Sequence, residues 1–126
     1  LDEWALIRWR GQVASAIRGA RGQKLLRDLL AALEAMPDKS LTVQELETPE
    51  GEVCALGALG KARAINMQDI DPEDHESVAA AFDIAHQLAQ EIVYENDEGG
   101  GYGETPEHRW KRMRTWVEAQ IKTEPR

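Results

Sequence analysis

The chain has 126 residues and a formal net charge of −8, from 23 acidic and 15 basic side chains. That length supports one hydrophobic core and no second. A single cysteine, Cys54, excludes an intramolecular disulfide framework and a cysteine-based zinc site, and no apolar run approaches the ~20 residues of a membrane span.

Leu, Ile, Val and Phe together supply only 26 residues, but there are 17 alanines and four tryptophans. Alanine is the best helix former and lets helices approach closely, so few large side chains can still fill a core. The expectation is a single domain over 1–126, mainly α (α+β). It comprises five or six short helices around one core, with a single small β-hairpin at about 41–56. A basic helical pair at 1–36 precedes the hairpin and a helical remainder at 57–122 follows it. With neither a membrane span nor a charged-then-apolar leader, a cytoplasmic location without membrane contact is expected.

Asp2 and Glu3 suit a helix start, where the dipole favours acids. Trp4, Ile7, Ala14 and Ile17 then recur at helical intervals, interrupted by Gly11 and stopped by Gly19 and Gly22. The clearest helix covers 24–36, where Leu25, Leu26, Leu29, Leu30, Leu33 and Met36 form one apolar stripe before Pro37. Trp4 and Trp9 fit equally the monomer's own core or a homodimer seam.

Segments 41–47 and 52–56 have strand character, joined by Thr48, Pro49, Glu50 and Gly51 with Pro and Gly placed for a type I turn. A short helix is expected over 57–64. Asp71, Pro72, Glu73 and Asp74 predict the start of another helix, ending near Phe82. Asp83 is expected to cap the next, over 84–95, with Ile84, Leu88, Ile92 and Val93 inward. A glycine-rich loop follows, and Thr105 with Pro106 opens a last helix to about Lys122, burying Trp110, Met113, Val117 and Ile121.

Charge is unevenly placed. Residues 1–30 carry six basic and three acidic groups, 31–100 carry three and sixteen, and 101–126 carry six and four. The acidic middle repels phosphate and favours a basic partner. The basic ends offer Arg18, Arg21, Lys24 and Arg27 around two glycines, and Arg109, Lys111, Arg112 and Arg114 beside Trp110 and Trp116, which could stack on bases. They could equally meet the acids near Asp69, Asp71, Glu73 and Asp74. The candidate interaction surface is therefore Arg18, Arg21, Lys24, Arg109 and Arg112 together with those four acids.

Other constellations are weaker. The loop after Tyr94 fits no EF-hand frame: starting at Asn96, position five fails, and starting at Glu95, Pro106 falls at position twelve. Glu95, Asp97, Glu98 and Glu104 leave a loose magnesium site as an alternative to a plain connector. Residues 76–95 have helix-turn-helix rhythm, yet the second helix carries His86, Gln87, Gln90, Glu91 and Glu95 and no cation for phosphate. Cys54 would need a base and a lowered pKa to act as a nucleophile, and His75, His86 and His108 all lie far from it in sequence. No catalytic, cofactor or metal set is assigned.

The segments EVCALGALG, AQEIVYENDE and TPEHRWKRMRTWV resemble a loose group of small tailed-phage and prophage proteins. The shared pattern is Cys-x-Leu-Gly, here Cys54, Leu56 and Gly57, then a helix ending in Asn96 and Asp97, a glycine-containing loop and a closing helix over 110–121. It spans about 52–121. The resemblance implies a phage setting in a host cell and an accessory factor that binds a host or phage protein, for instance an anti-defence inhibitor or an acidic mimic of nucleic acid. Two alternatives stand beside it: a nucleic-acid module using the basic ends, and a small enzyme using Cys54 or a metal.

Overall fold

The computed structural model describes residues 2–122, and within them the chain forms six helices. These are α1 (Glu3–Arg18), α2 (Ala20–Ala35), α3 (Ala55–Ala62), α4 (His75–Phe82), α5 (His86–Glu98) and α6 (Pro106–Gln120). The mainly helical class is as expected. α5 lies at the centre of the packing and touches α1, α3, α4 and α6.

Local chemistry sets most boundaries. Asp2 caps α1 by accepting from the Trp4 amide at 2.9 Å, and Thr105 caps α6 from the His108 amide at 3.1 Å with Pro106 in the first turn. The stop expected at Gly19 and Gly22 falls at Gly19 alone, so α2 begins at Ala20 and not at 24. Gly22 belongs to α2 because the helices touch there: a Cβ would sit 1.9 Å from the Ala16 carbonyl oxygen. It marks a contact, which sequence periodicity cannot separate from a stop.

Two further caps differ from expectation. Asp74, and not Asp71, caps α4; Asp71 turns back on itself, accepting from the Glu73 amide at 2.9 Å. Asp83 ends α4 in the left-handed conformation, φ 56°, and α5 starts after Ala85. Asp is among the few residues that tolerate that geometry.

The expected hairpin is absent. Among the described residues, 41–56 contain one isolated antiparallel bridge, Glu47 to Val53, and no strand. The reversal itself forms, with the Gly51 amide on the Thr48 carbonyl at 2.9 Å. A ladder does not extend from it because Gln44 turns left-handed, φ 69°. The backbone groups it would have used bond to helix side chains instead: Leu41 O to Arg109, Thr42 O to Asn96, the Gln44 amide to Asp97. Buried backbone groups need partners, and here the tertiary fold supplies them.

The leucine stripe of α2 is core as expected: Leu25, Leu26, Leu29 and Leu33 are buried in one cluster with Leu56, Phe82, Leu88, Ile92, Met113 and Val117. The start of α1 is not. Trp4 is 69% and Ile7 54% exposed, and only Val13 of α1 is buried. Its inward side is Trp9, Val13, Ala16 and Ile17, and not the Trp4–Ile7 side.

Candidate functional site

The motif residues converge on the N-terminus of α3. Cys54 is its N-cap residue, its Sγ 3.4 Å from the Gly57 amide. Buried Asn96, at the end of α5, accepts from the Ala55 amide at 3.0 Å and donates to Thr42 O at 3.0 Å and to Asp97 Oδ1 at 2.8 Å. Gly57 is required because the 41–54 segment crosses here: a Cβ would lie 1.8 Å from the Leu46 carbonyl oxygen. One amide side chain thus satisfies an orphan donor of a helix start and a loop carbonyl together.

Next to this junction, Glu104 organises the glycine-rich reversal. Its side chain is 2% exposed and meets Arg112 in a fork, Oε2 to Nε at 2.7 Å and Oε1 to Nη2 at 2.9 Å. Arg112 also donates to the carbonyls of Glu95 and Asn96, at 2.8 and 3.1 Å. Arg109 reaches Leu41 O at 2.8 Å, and its Nε lies 3.4 Å from Glu104 Oε1 without hydrogen-bond geometry. The Arg112 hydrogen bonds, with help from His108 at 2.7 Å, hold the Glu104 carboxyl down at about 2 against its burial. Gly100 leaves room for this carboxylate, since a Cβ there would fall 2.1 Å from it.

These contacts answer the alternatives at those positions. Arg109 is buried and Arg112 is enclosed, so neither is a free cation for phosphate. Trp110 donates its indole N–H to Leu33 O at 3.1 Å and carries Lys39 over its ring at 5.2 Å, which occupies the stacking face. The loose magnesium set is dispersed: Glu95 and Glu104 point at Arg112, Asp97 at Asn96 and Gln44. Among the described residues no group of three or more His, Cys, Asp or Glu is placed to hold a metal ion.

Cys54 is buried, and desolvation pushes its thiol up to about 12. The void beside it is about 10 Å³ and is lined by Gln44, Ile92, Val93 and Asn96 among others, with no imidazole. A thiol so protonated and enclosed is a poor nucleophile at neutral pH.

Several cations elsewhere are also engaged. Arg114 meets Glu34 at 2.7 Å, Arg63 and Lys24 meet Asp28 at 2.9 and 3.0 Å, and Lys61 meets Glu47 at 3.5 Å. Arg21 pairs with Asp83 at 3.3 Å in the open. None of these pairs joins a basic end to Asp69, Asp71, Glu73 or Asp74, the alternative partners the sequence offered. Arg18 is exposed at the end of α1, and Asp69 is exposed in the loop before α4. Asp74 is spent on its cap, its carboxyl lowered by the hydrogen bonds from Ser77.

Two of the expected acids do gather with others. Asp71 and Glu73 line a cleft of about 590 Å³ whose far wall is the C-terminal half of α5, with Tyr94, Asp97 and Glu98. His75 and Gln90 also line it, and among the described residues no Lys or Arg does. Tyr94 is 58% exposed at its edge. The part of Asp97 and Glu98 in this cleft was not legible from sequence; the only signal was their place one and two residues after Asn96, on a helix end. A second recess, about 560 Å³, lies between the end of α2, α3 and 50–53, with apolar walls including Met36, Val53 and Ala58.

No helix among the described residues is long and apolar enough to cross a membrane. No family model, curated protein or solved structure matches the chain, so what it does rests on its sites rather than on a likeness of fold.

Proposed function

We propose that this protein is a non-enzymatic accessory factor of phage type, which binds a basic segment of a host or phage protein in the cleft between the 71–75 turn and the C-terminal half of α5. One observation carries the proposal. The cleft gathers four carboxylates and a tyrosine, with His75 but, among the described residues, no Lys or Arg on its walls, while Arg63, Arg109, Arg112 and Arg114 end on carboxylates or carbonyls of their own chain. Uncompensated negative charge in a concave wall focuses the field on an incoming cation and accelerates encounter. Tyr94 adds a large amphipathic contact of the sort enriched where proteins bind. Inhibition of a nucleic-acid-binding defence protein, by occupying its basic surface, is one form such binding takes. Use of the C-terminal basic end for nucleic acid is disfavoured by the enclosure of Arg109 and Arg112.

The test is fluorescence anisotropy with a labelled Arg/Lys-rich peptide and, separately, a labelled DNA duplex. The peptide is expected to bind, more weakly as salt rises, and the duplex is not. Replacing Asp71, Glu73 and Glu98 together by Lys removes peptide binding, whereas replacing Asp38, Glu50 and Glu107 together by Lys, an equal change of charge at exposed positions outside the cleft, leaves it within about twofold. Equal loss in both variants would mean generic charge attraction and would overturn the cleft. Duplex binding stronger than peptide binding would overturn the partner class.

A further inference from the structure

α1 has two apolar sides, and among the described residues only one is covered. At 100° per residue, Trp9, Val13, Ala16 and Ile17 share the side that packs on α2 and α5. Trp4, Ile7, Gly11, Ala14 and Arg18 share the opposite side, within about 80° of arc. On that outer side Trp4 is 69% and Ile7 54% exposed. Gly11 is the anomaly at its centre: nothing lies within 4 Å of where its Cβ would be. A glycine in mid-helix weakens the helix, and no contact among the described residues requires one there. Close approach of another backbone does.

We infer that α1 pairs with α1 of a second copy, antiparallel, with the two-fold axis at Gly11. The charges at the two ends of this side are self-complementary, which favours a second copy and sets its direction, while Arg8 and Arg10 lie about 80° to either flank of it. Asp2 and Glu3 open the helix and Arg18 ends it. Antiparallel pairing about Gly11 sets position 4 opposite 18 and 7 opposite 15. Each Arg18 then lies over the partner's Trp4, a cation–π arrangement, and beside its acidic first turn. Parallel pairing would put Arg18 against Arg18 and Glu3 against Glu3. A two-fold interface makes each favourable contact twice. Two helices of 16 residues are about 24 Å long and cover less than the roughly 800 Å² per partner of a standard interface. The dimer is accordingly concentration-dependent.

The experiment is sedimentation velocity over about 1 to 300 μM, the range expected for a small interface, with circular dichroism melting of each variant at low concentration. The wild-type chain moves from 14.1 kDa to twice that mass across the series. Ile7→Glu stays monomeric with an unchanged melt, since its side chain is 54% exposed and outside the core cluster. Orientation is read by oxidation: Glu3→Cys mixed with Arg18→Cys gives the crosslinked heterodimer, and neither alone crosslinks comparably. Buried Cys54 does not interfere. A monomer throughout the series overturns the inference, as does a dimer that survives Ile7→Glu. Crosslinking of Glu3→Cys to itself overturns the antiparallel direction. Loss of self-association leaves the peptide-binding cleft on α5 untouched, so the two proposals fail separately.

Discussion

Asn96 Oδ1 accepts a hydrogen bond from the Ala55 backbone amide at 3.0 Å, across 41 residues of sequence. A side chain of α5 therefore caps α3, and the same amide group holds the 41–54 segment through Thr42 O. Asn96→Ala strands a buried donor and a buried acceptor, each worth about 1–3 kcal/mol. The expected loss is about 2–4 kcal/mol in chemical denaturation. Asn96→Asp keeps the acceptor but loses the donor and sets a second carboxylate beside Asp97. At pH 7 it should be at least as destabilising as the alanine variant, and it should recover in part as the pH falls. A loss below about 0.5 kcal/mol in both variants, the range of an ordinary surface change, would show that the junction is not held this way.

Glu104 sets an acid limit on stability. Its carboxyl lies at about 2 in the folded chain against 4.5 ordinarily. A group with a depressed folded pKa contributes above the unfolded value and loses that contribution as pH falls towards the folded one. The stabilisation from Glu104, of order 3 kcal/mol, is thus complete above about pH 4.5 and lost between there and about pH 2. Urea unfolding across this window should show wild type converging on Glu104→Gln as acid is added. A gap that stays constant from pH 7 to 2 would contradict the assignment.

Gly57 and Gly11 should answer alanine with opposite signs. At Gly57 the new methyl meets the Leu46 carbonyl of a crossing backbone, which moves only with the whole 41–54 segment. A loss of about 2–4 kcal/mol is expected, in the range of overpacked cores. At Gly11 the methyl enters open space and removes helix-breaking freedom, a gain of about 0.5–1 kcal/mol in the dilute monomer. Thermal melts of the two variants at low concentration decide it.

Cys54 should be silent to thiol reagents in the native state. Its thiol is pushed up to about 12 by burial, so labelling has to await opening of α3's N-terminus. The reaction with a disulfide reagent at pH 8 should be slow without denaturant and complete within the dead time in strong denaturant. Rapid native labelling would place the thiol at the surface and reopen its chemistry.

Local signals in the sequence settled a good deal of this protein. The spacing of Leu25, Leu26, Leu29 and Leu33 gave the buried stripe of α2, and Thr105 with Pro106 gave the start of α6, because both rest on contacts within a turn or two. Helical content followed from alanine and periodicity for the same reason. What failed, beside the local caps expected of Asp71 and Asp83, was what depends on hydrogen-bond and backbone partners far along the chain. The 41–56 segment reads as a hairpin by propensity, yet Asn96, Asp97 and Arg109 take backbone groups that a ladder needed. Gly22 looks like a stop and Gly57 like the first residue of a helix, and only the fold reveals the backbones that press on them. Arg109 and Arg112 read as surface cations until Glu104 folds over them, and the cleft exists only because α5 brings Asp97 and Glu98 opposite Asp71 and Glu73. Periodicity fixes which side of a helix is apolar; which apolar side is covered, and which charge is spent, depends on neighbours that proximity in sequence does not specify.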